Sequence, residues 1–126
     1  MNTTLALLLA ITVSQSAIAQ NPADTNKIRV IVFGAHPDDC DITAGGLAAL
    51  YVSLGHAVKF VSLTNGDKGH QTMGGKALAS RRLNKTKEVA RRLGVEYDVL
   101  NNHDGELMPN LENRLAVIGK ISLTMQ

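Results

Sequence analysis

An α/β fold, a parallel sheet with flanking helices, is predicted by three features of the sequence. β-branched apolar runs alternate with helical-period segments in the order strand, helix, three times over. Each apolar run opens into a polar loop, and two of the helical segments stop at glycine. No internal repeat or low-complexity segment interrupts this order. Alternation of this kind implies right-handed crossovers between parallel strands.

The elements follow in chain order. Residues 1–19 carry no Lys, Arg, Asp or Glu, and Leu5–Val13 is a short apolar run. Ala17-Ile18-Ala19 then forms the small-x-small pattern of a signal-peptidase site. The run is interrupted by Ser14, Gln15 and Ser16 well before the ~20 residues that a membrane span needs. Residues 1–19 therefore read as a signal peptide, with export as the expected localisation and no stable membrane span in the mature form. Residues 20–27 are polar with one proline and read as a linker, and residues 28–126 as the folded part. Ile28–Phe33 suits a strand covered on both faces. Residues 42–54 have a helical period with Leu47, Leu50, Tyr51 and Leu54 on one stripe, and Gly55 follows as the stop. Val58–Leu63 is a second strand and residues 64–75 a glycine-rich loop. Residues 76–93 are helical, with Leu83, Val89, Ala90 and Leu93 inward and Gly94 as the stop. Glu96–Leu100 is a weaker third strand, and residues 111–122 a third helix through Leu111, Leu115 and Ile118.

Composition narrows the function. The formal net charge is +2, from 13 basic and 11 acidic residues, which argues against an obligate polyanion partner. Basic residues do gather between Lys76 and Arg92, a pattern that is most often a solvated helix face. Aromatic residues make up 3% and Trp is absent, so a base-stacking nucleic-acid surface is not expected. The single cysteine, Cys40, excludes an internal disulfide.

Ligands of open parallel sheets bind beyond the carboxyl ends of the strands. Three polar loops fall there: Ala35–Asp41, Thr64–His70 and Asn101–Glu106. In the first, Pro37 keeps His36 extended and favours a turn that brings His36 and Asp39 to one side. Imidazole and carboxylate are suitable zinc ligands. Asp38 would then be a free carboxylate able to accept a proton from a metal-activated water. Equally, Asp38, Asp39 and Asp41 could cap the following helix, and spacing alone leaves both readings open. Neither a G-x-G-x-x-G nor a P-loop is present.

With its neighbours in order, Ala35-His36-Pro37-Asp38-Asp39 resembles the signature of the PIG-L/LmbE-like zinc-dependent N-deacetylases. The resemblance runs through Gly45-Gly46, Thr64–His70, Arg81-Arg82, Ala90–Val95 and His103–Leu107, and covers residues 28–121. It implies a Rossmann-like parallel sheet in which three β-α units are present and the domain is incomplete. It also implies hydrolysis of an N-acetyl group on a GlcNAc-containing small molecule or glycolipid. His36 and Asp39 would hold Zn2+, or another divalent metal. Asp38 would be the general base, and Arg82 and Asp104 would contact the N-acetylated amino-sugar substrate. Lys85 stands where this family usually has Glu, and Cys40 where Glu is common. The family's third metal ligand, a histidine in a later loop, lies beyond the pattern these residues match. His70 or His103 would have to replace it within this chain. The alternatives are a truncated, inactive relative that binds metal or sugar weakly, and a nucleotide-binding module that uses the basic helix. For residues 1–19, cleavage is expected after Ala19. The N-terminal peptide of the exported protein should begin at Gln20 by mass spectrometry; one that retains Leu5–Val13 would contradict a removed leader.

Overall fold

The computed structural model describes residues 27–124. The expected leader, and all of the expected linker except Lys27, lie outside these residues. The chain forms β1 (Arg29–Gly34), α1 (Asp39–Ser53), β2 (Ala57–Ser62), α2 (Gly75–Leu93), β3 (Glu96–Val99) and α3 (Leu111–Thr124). The strands make one parallel sheet in the order β1-β2-β3. The expected strand-helix alternation is therefore present, with strand order equal to chain order.

β2 is paired on both sides, and every residue from Val58 to Ser62 is buried. Register sets its two faces, because side chains alternate along a strand. On one face Val30, Val32, Val58, Phe60 and Tyr97 meet Ala44, Ala48 and Val52 of α1, with Ala90 and Leu93 of α2. Phe60 is fully buried and packs edge-on against Tyr97, with ring centroids 5.5 Å apart. The other face carries Lys59, whose Nζ lies 3.1 Å from Asp98 and 3.2 Å from Glu96. Lys120 of α3 reaches the same Asp98 carboxylate at 2.9 Å. α3 thus lies across the sheet from α1 and α2. The buried Lys59 is tolerated because its charge is paired where it leaves water.

The structure corrects the inward stripe expected for α1. Leu47, Leu50 and Leu54 are 54%, 54% and 63% exposed. The helix instead turns Cys40, Ala44, Ala48 and Val52 to the sheet, at four-residue spacing. It is apolar around most of its circumference, so periodicity could not choose a face, and the small side chains allow the closer approach. Helix α2 follows expectation more closely. Leu78 and Thr86 are its buried residues, Leu83 is 40% exposed, and Gly94 ends it in the left-handed region at φ 70°. Helix α3 has the expected span, but Leu111, Leu115 and Ile118 are exposed, because no described element covers that side.

Truncating Phe60 removes the largest fully buried side chain from the central strand. Phe60→Ala should cost about 3–5 kcal/mol of folding free energy, measurable as a lower urea midpoint; an unchanged midpoint would contradict this placement of the core.

Candidate active site

Three loops meet at the carboxyl edge of the sheet, and backbone bonds stitch them together. The Thr64 N–H and Oγ1–H both donate to the Ala35 carbonyl, at 3.0 and 2.8 Å. The Asn65 N–H donates to the Asn102 carbonyl at 2.9 Å, and Asn102 Nδ2 returns a bond of 2.9 Å to the Leu63 carbonyl. The expected convergence is therefore built from the β1, β2 and β3 loops in turn.

The first loop is a tight turn. The N–H groups of Asp38 and Asp39 both donate to the His36 carbonyl, at 2.8 and 3.3 Å, around a buried Pro37. Gly34 allows the first turn of α1 to fold back this closely, since a Cβ there would lie 2.7 Å from Asp39 Cβ and 3.0 Å from Cys40 Sγ. Asp39 Oδ2 accepts the His36 backbone N–H at 2.9 Å and lies 3.4 Å from His36 Nδ1. The turn thus brings His36 and Asp39 to one side, as expected.

Asp38 occupies the N-cap position of α1 but makes no side-chain cap bond, and it is exposed. Its carboxylate is not consumed by capping. Asp41 is turned inward, accepts the Tyr97 hydroxyl at 3.2 Å, and has its pKa pushed up chiefly by burial. The fully buried Cys40 has its thiol pKa raised chiefly by burial, which suits a core residue rather than a nucleophile.

Asp104 comes from the third loop. Its Oδ1 lies 2.9 Å from His36 Nε2. A carboxylate only accepts, so Nε2 is the donor in this contact, and Nδ1 faces Asp39 Oδ2. The Asp104 backbone N–H donates at 2.9 Å to Oδ1 of Asp67, whose Oδ2 lies 2.5 Å from His103 Nδ1. The nearly buried Asp67 had no role in the sequence reading, yet it holds the third loop in place. Its pKa is lowered, first by the Asp104 N–H and then by His103. Asn65-Gly66-Asp67 was a usable signal. Asn65 Oδ1 accepts the Asp67 N–H at 3.1 Å in an Asx-turn, and Gly66 has φ 65°.

Arg82 reaches in from α2. A Cβ on Gly66 would lie 2.6 Å from Arg82 Nη1 and 2.8 Å from Pro37 Cδ, so the guanidinium covers the junction of the first two loops. Arg82, Lys85, Asp38 and exposed His70 line one cleft of about 650 Å³. His70 Nδ1 accepts the Thr72 N–H at 3.2 Å. Among the described residues, no cluster of three or more His, Cys, Asp or Glu side chains is spaced to hold an ion. His103 is engaged by Asp67 and His70 by the Thr72 N–H. The His36–Asp39 pair by itself fits a metal: two ligands of a tetrahedral zinc at about 2.0–2.1 Å are ~3.3 Å apart, close to the 3.4 Å between Nδ1 and Oδ2.

Fold and site together define a parallel α/β protein with a histidine–carboxylate pair, suited to a divalent cation, beside a free carboxylate. The chain belongs to the PIG-L family, described as GlcNAc-PI de-N-acetylase, whose profile matches residues 31–125. It is 34% identical over 93 residues to diacetylchitobiose deacetylase from Thermococcus kodakarensis, covering 71% of this chain and 35% of that protein. The N,N'-diacetylchitobiose deacetylase structure from Pyrococcus horikoshii superposes with TM-score 0.64 at 34% identity, over 71% of this chain and 34% of that one. The 4-carboxy-2-hydroxymuconate hydratase GalB from Pseudomonas putida shares the fold, with TM-score 0.64 at 24% identity over 74% of this chain and 42% of that one. This chain therefore spans about a third of the length of the deacetylases it matches.

The Asp67 clamp predicts an acid dependence. A carboxyl whose folded pKa lies below its unfolded value, about 4, stabilises the fold above that value. The contribution is lost as pH falls through the lower folded pKa. Asp67→Asn should be less stable than wild type at neutral pH, and the gap should close as the pH falls below the ordinary carboxyl value of about 4. Urea midpoints across that range check this, and a gap independent of pH would assign the loss to packing.

Proposed function

We propose that this chain carries the base-bearing half of the active site of a zinc-dependent deacetylase, which removes the acetyl group from an N-acetylated amino sugar. The observation that carries the reading is the Asp38/Asp39 division: Asp39 is folded onto His36 with ligand spacing, while Asp38 next to it is left free of capping. Two deacetylases of diacetylchitobiose among the relatives support the substrate class.

In this reading His36 Nδ1 and Asp39 Oδ2 hold the cation, with a further ligand from outside the described residues. When bound, the cation supplies Lewis acidity toward the acetamido carbonyl and toward water. Asp104 holds His36 through Nε2, an arrangement that fixes ring orientation in histidine–metal sites. Its Oδ2 makes no bond among the described residues and is available to a sugar hydroxyl. Asp38 takes a proton from the attacking water as the new C–O bond forms. It then delivers that proton to the amine nitrogen as the C–N bond breaks, giving the amine and acetic acid, whose remaining proton passes to the amine or to solvent to leave acetate. Arg82 contacts the substrate from the cleft wall. Residues 1–19 direct export in the same proposal.

In the full-length protein, Asp38→Asn should keep stoichiometric zinc by mass spectrometry and lose about 10²–10⁴-fold in kcat. His36→Ala should lose the metal. The reverse pattern, metal lost with Asp38 or kept without His36, would overturn these roles.

A further inference from the structure

The loop between β2 and α2 carries a histidine that the proposed mechanism does not use. Residues 68–74 of this loop are all exposed, yet its stem is closed. The Gly75 N–H donates to the Asp67 carbonyl at 2.7 Å, so the two ends of the segment meet. Lys68 is tied to Glu106 of the third loop at 2.6 Å, and the Asp67 carboxylate to His103 and to the Asp104 N–H. Gly69 and Gly75 turn the chain through the left-handed region, at φ 82° and 59°. A short excursion on a fixed stem can hold a side chain toward a neighbouring site. Here that side chain is His70, which lines the cleft with Asp38 and Arg82.

The hydrogen bonding of His70 defines what it can offer. Its Nδ1 accepts the Thr72 backbone N–H at 3.2 Å. A backbone N–H can only donate, so the Nδ1 lone pair is used there and Nε2 is the N–H of the ring. His70 makes no other side-chain hydrogen bond among the described residues. The other polar side chains of the cleft are charged. Its α2 wall is cationic, Asp41 accepts the Tyr97 hydroxyl, and Glu88 is taken by Arg91 and Arg92. Asp38 is reserved for the proton. Among the residues lining this cleft, His70 is the one that offers an uncharged side-chain N–H.

Resting on the deacetylase reading, we infer that His70 Nε2–H donates to a ring hydroxyl of the N-acetyl sugar, which makes His70 a specificity-determining residue of the cleft. A hydroxyl oxygen is a neutral acceptor, and an uncharged donor gives up less hydration than a charged one in meeting it. The Thr72 bond fixes the ring and its tautomer before the sugar arrives, which lowers the ordering cost of the contact. The same bond opposes metal ligation through Nε2, since a ligating nitrogen must present a lone pair.

The test is a cycle between protein and substrate in the full-length protein. The parent substrate is whichever of N-acetylglucosamine and N,N'-diacetylchitobiose the wild type deacetylates faster. Its partners are the analogues that each lack one hydroxyl of the reacting ring. Amine release gives kcat/KM for wild type, His70→Ala and His70→Gln, and mass spectrometry gives the zinc content of each. In wild type, one deoxy analogue should fall about three- to tenfold below the parent, mostly through KM, as expected for one neutral hydrogen bond. His70→Ala should lose a similar factor on the parent and nothing further on that analogue, with zinc retained. His70→Gln, whose amide N–H reaches a similar place, should recover most of the loss. Full activity of His70→Ala on the parent, or losses that add independently for every analogue, overturn the contact and leave the deacetylase reading intact. Loss of zinc from His70→Ala also overturns it, by making His70 a metal ligand. Release of amine from neither parent by wild type overturns the deacetylase reading, and the contact falls with it.

Discussion

The structure depends on the pairing of β2 on both of its edges. Parallel strands all end at the same side of the sheet, so a central strand flanked in register forces three separate loops into one place. Residues as distant in sequence as His36 and Asp104 meet for that reason. Backbone bonds from Thr64 to Ala35 and from Asn65 to Asn102 continue the sheet's own pattern into the loops, so the site is an extension of the ladder. Its loops are thereby tied by hydrogen bonds to the most buried strand.

The site divides its carboxylates by environment. Asp39 is fixed by the His36 backbone N–H, Asp41 by Tyr97, Asp67 by the Asp104 N–H and His103, and Asp104 by His36. Asp38 alone in the first loop's acidic run faces the cleft without a side-chain bond to the helix it begins. Chemically identical groups thus acquire different availability for proton transfer, decided by which backbone N–H or hydroxyl lies in reach. The cationic wall of α2 stands on the opposite side of the same cleft.

Much of this was legible in the sequence because it rests on local rules. β-branched runs mark strands, Gly94 ends a helix, and Pro37 shapes a turn that brings His36 to Asp39. What escaped was non-local. The inward face of α1 went to Ala44 and Ala48 rather than to the leucines, a choice made by the sheet's surface and not by the helix's own pattern. The capping alternative for Asp38 could be settled only by seeing where its carboxylate goes. Asp67 escaped because its partners, His103 and Asp104, are joined to it through space, 36 and 37 residues away. The exposed stripe of α3 shows the same limit: an apolar period announces that a face wants cover, and says nothing of what supplies it.

That strand order equals chain order has a consequence for synthesis. Each new strand adds to the edge left by the one before, with its helix as the crossover, so no strand must be threaded between two already in place. A chain emerging amino end first can build the sheet vectorially, closing one short loop at a time and keeping contact distances low. The His36–Asp39 turn then forms with the first β-α unit, and the clamp from Asp67 and Asp104 arrives only when β3 docks. The nascent protein therefore pairs His36 with Asp39 before the loop that orients the ring arrives.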